Sequence, residues 1–465
     1  TAGIDNNFVH PVIRSLAGYS MYPNPSDYPY SVNPYAPLFF ITCKWIATLF
    51  NLTAADTISI YRVTRSVSLL ADTGTLLLLF HIIHIKLKIS RVTSIIAITL
   101  FFCIICYLGY TINRSDSMFL FFYSSTICIL LTTTFKKNIW KPLIAAALVT
   151  LCIFSKQNGI SLLALVPVWF TLKKDYRALI QFLFFTGIFC SGMFTYFEFF
   201  YTNHFFSEHI INSLKNKIDV RWFYVYVFKL IADSYLTLPL GIPLIISIKS
   251  LSQNNTQAIK RMSMLFILQL FFCIILCLKW GSSLGYFNES FFLGFVIMTM
   301  FYSSIASPVL SVFIDKVIIY TYPVLLVFIF HIIAQLFFFF INSRTSTRGK
   351  FNEQVQITNY IKKKIGTQNC YVLDLSNPDF NFFKNMLYKE SAAPNIDAVN
   401  CCTLPDKIFN YNGLIDGLKT GKILFLIEDK AALEKIHWGV DLKHYRRDTC
   451  FTSYSIYKYD SSGLK

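Results

Sequence analysis

The chain has 465 residues, of which 54% are hydrophobic, 17% aromatic and only 14% charged, against roughly a quarter charged in an ordinary soluble domain. That balance excludes a water-soluble body for most of the chain and suits one whose main solvent is lipid. The net charge of +17 is not a nucleic-acid signature, because the basic residues sit in short links between apolar runs instead of forming one surface field.

Residues 1–65 are polar and aromatic, with Pro at 11, 23, 25, 29, 34 and 37, which excludes a straight spanning helix. The short apolar stretch Pro37–Leu52 reads as a helix lying along the membrane surface. The chain opens on a polar segment without Met or a signal peptide, so a preceding piece carrying one more transmembrane helix is expected. About ten apolar runs follow, near 66–85, 93–111, 117–135, 142–156, 159–172, 178–200, 234–248, 263–279, 285–305 and 317–341, most of them long enough to reach across a hydrocarbon core. Every second link is basic: Lys86, Lys88 and Arg91; Lys136, Lys137 and Lys141; Lys173, Lys174 and Arg177; Lys249, Lys260 and Arg261; then Lys316. The positive-inside rule makes those links cytoplasmic. The others face outward: residues 1–65, Asn113–Asp116, Lys156–Asn158, Tyr201–Asp233, Trp280–Leu284 and everything after Ile341.

After Asn342 the composition turns polar. A helix over Glu353–Ile365 and strands over Tyr371–Leu375, Lys422–Ile427 and Thr452–Tyr459 predict a small α/β domain. The expected fold class is therefore an α-helical polytopic membrane protein with three parts. Residues 1–65 form a first outer loop with interfacial helices, 66–341 a transmembrane helical domain, and 342–465 an outer α/β domain. Most cysteines lie singly in apolar runs as small hydrophobes. Cys370, Cys401, Cys402 and Cys450 fall in the polar tail, where an even count permits disulfides without fixing a pairing.

Ionisable groups at membrane depth are costly, so they are functional candidates, with structural pairing as the bland alternative. Asp5, emerging at the start of the outer loop, is placed to act as a general base, or else is a capping or solvated carboxylate. Asn113-Arg114-Ser115-Asp116 is either a helix start with a local ion pair or a phosphate site built on Arg114. Lys156, in Ser155-Lys156-Gln157-Asn158-Gly159, tips a hairpin of two short helices; it either meets an anionic lipid phosphate below the surface or snorkels to the interface. Lys279-Trp280-Gly281-Ser282 leads to Tyr286-Phe287-Asn288-Glu289. There Glu289, about a turn inside an apolar helix, faces a cavity or pairs with a cation such as Lys279. The Tyr-rich first loop (19, 22, 28, 30, 35) suits sugar stacking as well as ordinary interfacial anchoring.

Taken in order, these segments resemble the membrane glycosyltransferases of the GT-C superfamily, in the branch of protein mannosyltransferases and lipopolysaccharide-core galacturonosyltransferases. The matching features are Asp5 in the first outer loop, Tyr35-x-Pro-Leu38, Arg114-x-Asp116, Lys156-Gln157-x-Gly159, and Gly281-Ser282 followed by Tyr286-Phe-x-Glu289. The resemblance implies an inverting, hexosyl-type transferase using a polyprenyl-phosphate-linked sugar. The acceptor would be the hydroxyl of a glycan or glycolipid of the cell envelope, such as lipopolysaccharide or O-antigen. It further implies a bacterial inner-membrane location with the site facing the periplasm. Asp5 would be the base, Lys156 and Arg114 would hold the carrier phosphate, and Tyr35, Asp116, Gln157, Lys279, Tyr286 and Glu289 would line the cavity. No cofactor beyond the lipid-linked donor is implied, no nucleic-acid partner is expected, and a divalent metal stays an open question, since the outer loops offer scattered acids. Asn6 follows Asp5, and Ala36 precedes Pro37, where the family often has paired acids or Tyr-Pro-Pro-Leu, so Asp27 and Asp56 stand as rival acids. A transporter or flippase of lipid-linked saccharides, or a polysaccharide polymerase, is the alternative. Transporters usually carry internal repeats and broken spans, and the sequence displays neither.

Overall fold

The computed structural model describes residues 2–28, 30–108, 114–131, 139–202, 204–215, 218, 220–252, 256–278, 284–305, 349, 351–368, 370–374, 383–390, 409–410, 412–429 and 443–461. The chain is an α-helical polytopic membrane protein with a small C-terminal sheet. Helix α1 (Ala2–Leu16), α2 (Leu38–Leu49) and the start of α3 (Thr57–Phe80) share one apolar cluster, in which Phe8, Val9, Val12 and Ile13 pack with Phe39, Phe40 and Ile60. Pro11 sits inside α1. The helix loses one backbone hydrogen bond there and keeps its form through the buried stripe at 8, 9, 12 and 13. Helix α2 lies within the stretch expected as interfacial, whereas α3 begins at Thr57, inside the segment expected to be loop.

Eight of the expected spans correspond one for one to α3, α4 (Arg91–Tyr107), α5 (Ser115–Leu131), α6 (Trp140–Ser155), α7 (Leu162–Leu172), α8 (Tyr176–Thr195), α12 (Gln257–Leu276) and α13 (Asn288–Ile305). Helices α9 (Phe206–Leu214) and α10 (Val220–Ala232) fill the link expected over Tyr201–Asp233. Helix α10 forms a bent pair with α11 (Ser234–Ser252), where a single straight span was expected. The last expected run, 317–341, lies outside the described residues, as do Lys136, Lys137 and Lys316. By length and composition, four described segments suffice to cross a membrane: Thr57–Lys86, Tyr176–Tyr201, Gln257–Leu276 and Leu284–Ser304. Five shorter apolar helices pack among them. The segment around α13 is the most enclosed, with 83% of its apolar window buried, so polar groups near its start face protein and not lipid.

The tail forms a four-stranded sheet in the order β1-β2-β4-β3, with β1 (Tyr371–Asp374), β2 (Ile423–Asp429), β3 (Tyr445–Cys450) and β4 (Tyr454–Tyr459). β1 and β2 are parallel, with Tyr371 opposite Ile423, and the other pairs are antiparallel. Helix α14 (residues 351–365) covers one face through Ile357, Ile361 and Ile365 against Phe425, Ile427 and Ile456. After the short α15 (Phe383–Met386), α16 (Asn412–Lys419) brings Leu414 and Leu418 to the other face beside Leu373 and Leu426, and Tyr30 and Val32 of the first loop complete that core. Three strands match the expected ones; β3, which reads Tyr-Arg-Arg-Asp-Thr-Cys, does not announce itself because an exposed edge strand tolerates charge and lacks apolar alternation. Cys370 and Cys450 form no disulfide among the described residues, and Cys401 and Cys402 lie outside them.

Candidate functional site

Helix α6 ends at Ser155, and Lys156 leaves it in an extended conformation (φ −157°, ψ 137°) that swings its side chain across to α5. A tight 3-10 turn, Gln157–Ser161, folds the chain back into α7. Gly159 permits this, since a Cβ there would stand 2.7 Å from the backbone of Cys152 and Ile153, closer than van der Waals contact allows. Gln157 Nε2 donates to the carbonyl of Pro34, tying the hairpin to the first loop beside Tyr35. Tyr35 is held in turn by Tyr22, whose hydroxyl donates to its carbonyl at 2.7 Å, and by the ring of Phe8 at 4.4 Å.

The Lys156 ammonium forms an ion pair with Asp116 in the first turn of α5; the two side chains are 12% and 9% exposed. It also lies over the ring of Tyr286 at 4.7 Å and that of Phe119 at 5.7 Å. In such a site a carboxylate and aromatic faces take the place of water around the cation. Ser68 of α3 brackets the preceding residue, accepting from the Arg114 N–H and donating to the Arg114 carbonyl, both at 3.1 Å. That pins the start of α5 and brings Arg114 within electrostatic reach of Asp116.

Glu289, in the first turn of α13, is 1% exposed, and its Oε2 has no hydrogen-bond partner among the described residues. It lies within electrostatic reach of Lys156 and Asp116. Beneath it a polar seam runs through the bundle: Tyr123 donates to Gln269 (3.2 Å), Gln269 to Cys273 (3.4 Å), and Cys273 to the Tyr286 carbonyl (2.7 Å). Burying such groups is costly unless they are paired, and this seam pairs them.

Asp116, Lys156, Tyr286 and Glu289 therefore converge, with Arg114 within electrostatic reach of Asp116 and Gln157 reaching the Pro34 carbonyl next to Tyr35. Lys156 differs from expectation in one respect: it is paired with Asp116. Asp5 falls in the first turn of α1, three residues before Phe8, and its side chain lies outside the described residues. Lys279 and Trp280–Ser282 also lie outside them. The rival acids serve local turns, Asp27 accepting from Asn24 at 3.0 Å and Asp56 from the Thr53 N–H and hydroxyl, both at 2.8 Å. Asp72 of α3 joins the converging residues although it belongs to none of the sequence motifs. It is buried, accepts from Ser117 at 3.0 Å, and lies within electrostatic reach of Asp116; an acid at that depth is the signal that marks it. Among the described residues, no group of three or more His, Cys, Asp or Glu is arranged to hold a metal ion.

The first loop is fastened by His209 of α9. Its Nε2 contacts the Pro23 carbonyl at 2.6 Å and its Nδ1 accepts from the Asn33 N–H at 2.9 Å. Those partners select the neutral tautomer, and burial pulls its pKa down to about 4.

Among solved structures, the chain is similar to ArnT from Cupriavidus metallidurans bound to undecaprenyl phosphate, with a TM-score of 0.59 at 10% identity, over 98% of this chain and 94% of that one. ArnT from Cupriavidus metallidurans in the apo state matches with a TM-score of 0.57 at 10% identity, over 97% of this chain and 92% of that one. No protein-family model and no curated protein matches the sequence. At such identity the likeness is one of fold: the chain shares the fold of these ArnT structures along nearly its whole length.

Proposed function

We propose, starting from the GT-C fold, that this chain is a glycosyltransferase that moves one sugar from a polyprenyl-phosphate carrier to a hydroxyl of a cell-envelope glycan or glycolipid. The observation that carries the reading is the convergence of Lys156, Asp116, Tyr286 and Glu289 at one end of the bundle. The first loop is tied to that place through the contact from Gln157 to Pro34. The solved structure of ArnT contains a polyprenyl phosphate in the same fold, which supports a lipid of that class as the carrier here.

In this reading Asp5 accepts the proton of the acceptor hydroxyl. The hydroxyl oxygen attacks the anomeric carbon from the side opposite the carrier, and the bond from that carbon to the phosphate oxygen breaks. Its electron pair stays with the departing carrier phosphate, and the configuration inverts. Lys156, flanked by Arg114, meets the charge that develops on the phosphate. Tyr35, Gln157, Tyr286 and Glu289 line the sugar cavity, with Asp116 setting how much of the ammonium is available. By the positive-inside pattern of the links, this end of the bundle faces the periplasm of a bacterial inner membrane.

The test is transfer in nanodiscs from polyprenyl-phosphate-linked hexoses to envelope glycolipids, followed by mass spectrometry. The expected product gains a single sugar, and Lys156→Ala weakens donor binding by at least about tenfold, the loss of roughly one charge-assisted contact to phosphate. Addition of many repeat units would reassign the protein as a polymerase, and passage of an intact lipid-linked saccharide without transfer would make it a transporter. Unchanged donor affinity in Lys156→Ala would remove that residue from the carrier site.

A further inference from the structure

The opposite end of the bundle carries a second cluster of cations that the transfer reaction does not use. Lys141 lies in the first turn of α6, fifteen positions before Lys156, so helix rise separates the two by about 22 Å. Although a lysine at the start of a helix normally reaches water, Lys141 is 5% exposed and its ammonium donates to the Leu130 carbonyl at 2.8 Å. Lys173, Arg261 and Asp175 all lie within its electrostatic reach. Asp175 is the one carboxylate among these neighbours, and it already caps α8 by accepting from the Ala178 N–H at 3.2 Å.

Arg261, near the start of α12, stacks its guanidinium over the ring of Trp169 at 5.1 Å. Its Nε is buried and has no hydrogen-bond partner among the described residues. Trp169 itself is 4% exposed, and its indole Nε1 also lacks a partner among the described residues. The cluster thus joins three cations to two buried N–H donors without acceptors. Unpaired buried donors are costly, and an anion with several acceptor oxygens, set at the membrane boundary, answers both deficits.

We propose that Arg261, Trp169, Lys173 and Lys141 form a binding site for a phosphate group, supplied by the headgroup of an anionic phospholipid at the basic end of the bundle. Trp169 and Arg261 donate to its oxygens, while Lys141 and Lys173 supply charge. Basic pockets between spanning helices commonly take anionic headgroups. The site is independent of the glycosyltransferase reading and stands or falls without it.

The whole protein is placed in phosphatidylcholine nanodiscs with and without phosphatidylglycerol, and the retained lipid is read by native mass spectrometry after extraction. The wild type is expected to retain phosphatidylglycerol in preference to phosphatidylcholine. Arg261→Gln and Lys173→Gln are each expected to lower that retention roughly fivefold, the attraction typical of one basic residue at an anionic surface. Lys173 is exposed, so its variant reads the charge without disturbing the packing. Trp169→Phe keeps the ring and removes the N–H; a further drop there identifies a built site as opposed to diffuse attraction. Inorganic phosphate is added in a second arm: if it displaces the retained lipid, the phosphate alone is the ligand, and if it does not, the acyl chains contribute. Equal retention of the two lipids by wild type, or unchanged retention in Arg261→Gln and Lys173→Gln, overturns the proposal.

Discussion

Replacing Asp116 by Asn tests the site through a consequence that a purely structural pair does not share. With side-chain exposures of 12% and 9%, Lys156 and Asp116 form a nearly buried pair. Removing one partner from such a pair costs about 3–5 kcal/mol, because the remaining charge is left uncompensated. An Asn amide keeps one acceptor for the ammonium, and the rings of Tyr286 and Phe119 stay in place, so the lower bound applies, about 3 kcal/mol. If Lys156 binds the carrier phosphate, the same change removes the carboxylate that competes for it. Asp116→Asn should then unfold at a lower temperature than wild type without lipid, and gain more from added polyprenyl phosphate, since a ligand that binds only the folded state stabilises it by mass action. The assay is thermal unfolding in detergent across a titration of polyprenyl phosphate. An Asp116→Asn protein that is destabilised but gains no more than wild type from the lipid would show the pair to be structural, and the reasoning about the carrier site would fail.

Three further outcomes follow from other parts of the structure. Asp5→Asn is expected to abolish sugar transfer while leaving carrier-lipid binding within about twofold, because the base acts on the acceptor and not on the phosphate; full transfer by this variant would remove Asp5 from the mechanism. Gly159→Ala places a methyl group 2.7 Å from the backbone of α6, so the hairpin must shift, at a cost of about 1–3 kcal/mol, and donor binding by Lys156 should weaken with it; a variant with wild-type stability and donor affinity would contradict the geometry. His209 is held neutral, with its pKa lowered to about 4 from the usual value near 6.5. The unfolded loop therefore binds the extra proton first, the contribution is complete above about pH 6.5, and it declines as the pH falls toward about 4. The protection factors of amides in the loop around Pro23 and Asn33, each taken relative to intrinsic exchange at the same pH, should fall on acidification in the wild type and change less in His209→Gln; equal changes in the two would refute the role of His209.

Much of the fold is legible in the sequence because the bilayer forces long apolar runs to be helices. The start of α1 is less so: Asn6, Asn7, His10 and Pro11 mask a stripe at Phe8, Val9, Val12 and Ile13 whose helical spacing is nevertheless present. At the site, residue types and order are readable while pairing is not. Asp116 and Lys156 are forty positions apart, and no local spacing rule links them; only the packing of α5 against α6 does so. The role of Gly159 is readable only in part, since the motif marks a tight turn whereas the near-contact with Cys152 belongs to the folded hairpin. Asp72 is the reverse case, a visible acid within an apolar run that becomes meaningful once α3 lies beside α5.

The first loop is gripped from two sides. From the bundle, Gln157 holds Pro34 and His209 holds Pro23 and Asn33. From the C-terminal domain, Tyr30 and Val32 belong to the core beneath the sheet, the Tyr28 ring stacks on Tyr371 at 3.9 Å, and the Tyr28 hydroxyl donates to the Lys389 carbonyl. Gly413 of α16 approaches the Ser26 carbonyl so closely that no Cβ fits between them. Arg14, at the end of α1, donates to the Tyr388 carbonyl at 3.4 Å and lies over Tyr19 at 4.7 Å. The same short loop therefore joins two clusters: Tyr30 and Val32 pack in the C-terminal core, while Tyr35 packs with Phe8 in the cluster of α1 and α2, next to the Pro34 carbonyl held by Gln157. If the proposed transferase reading holds, a change in β1 or α16 would reach the Lys156 hairpin through the first loop without touching Lys156, Asp116 or Glu289.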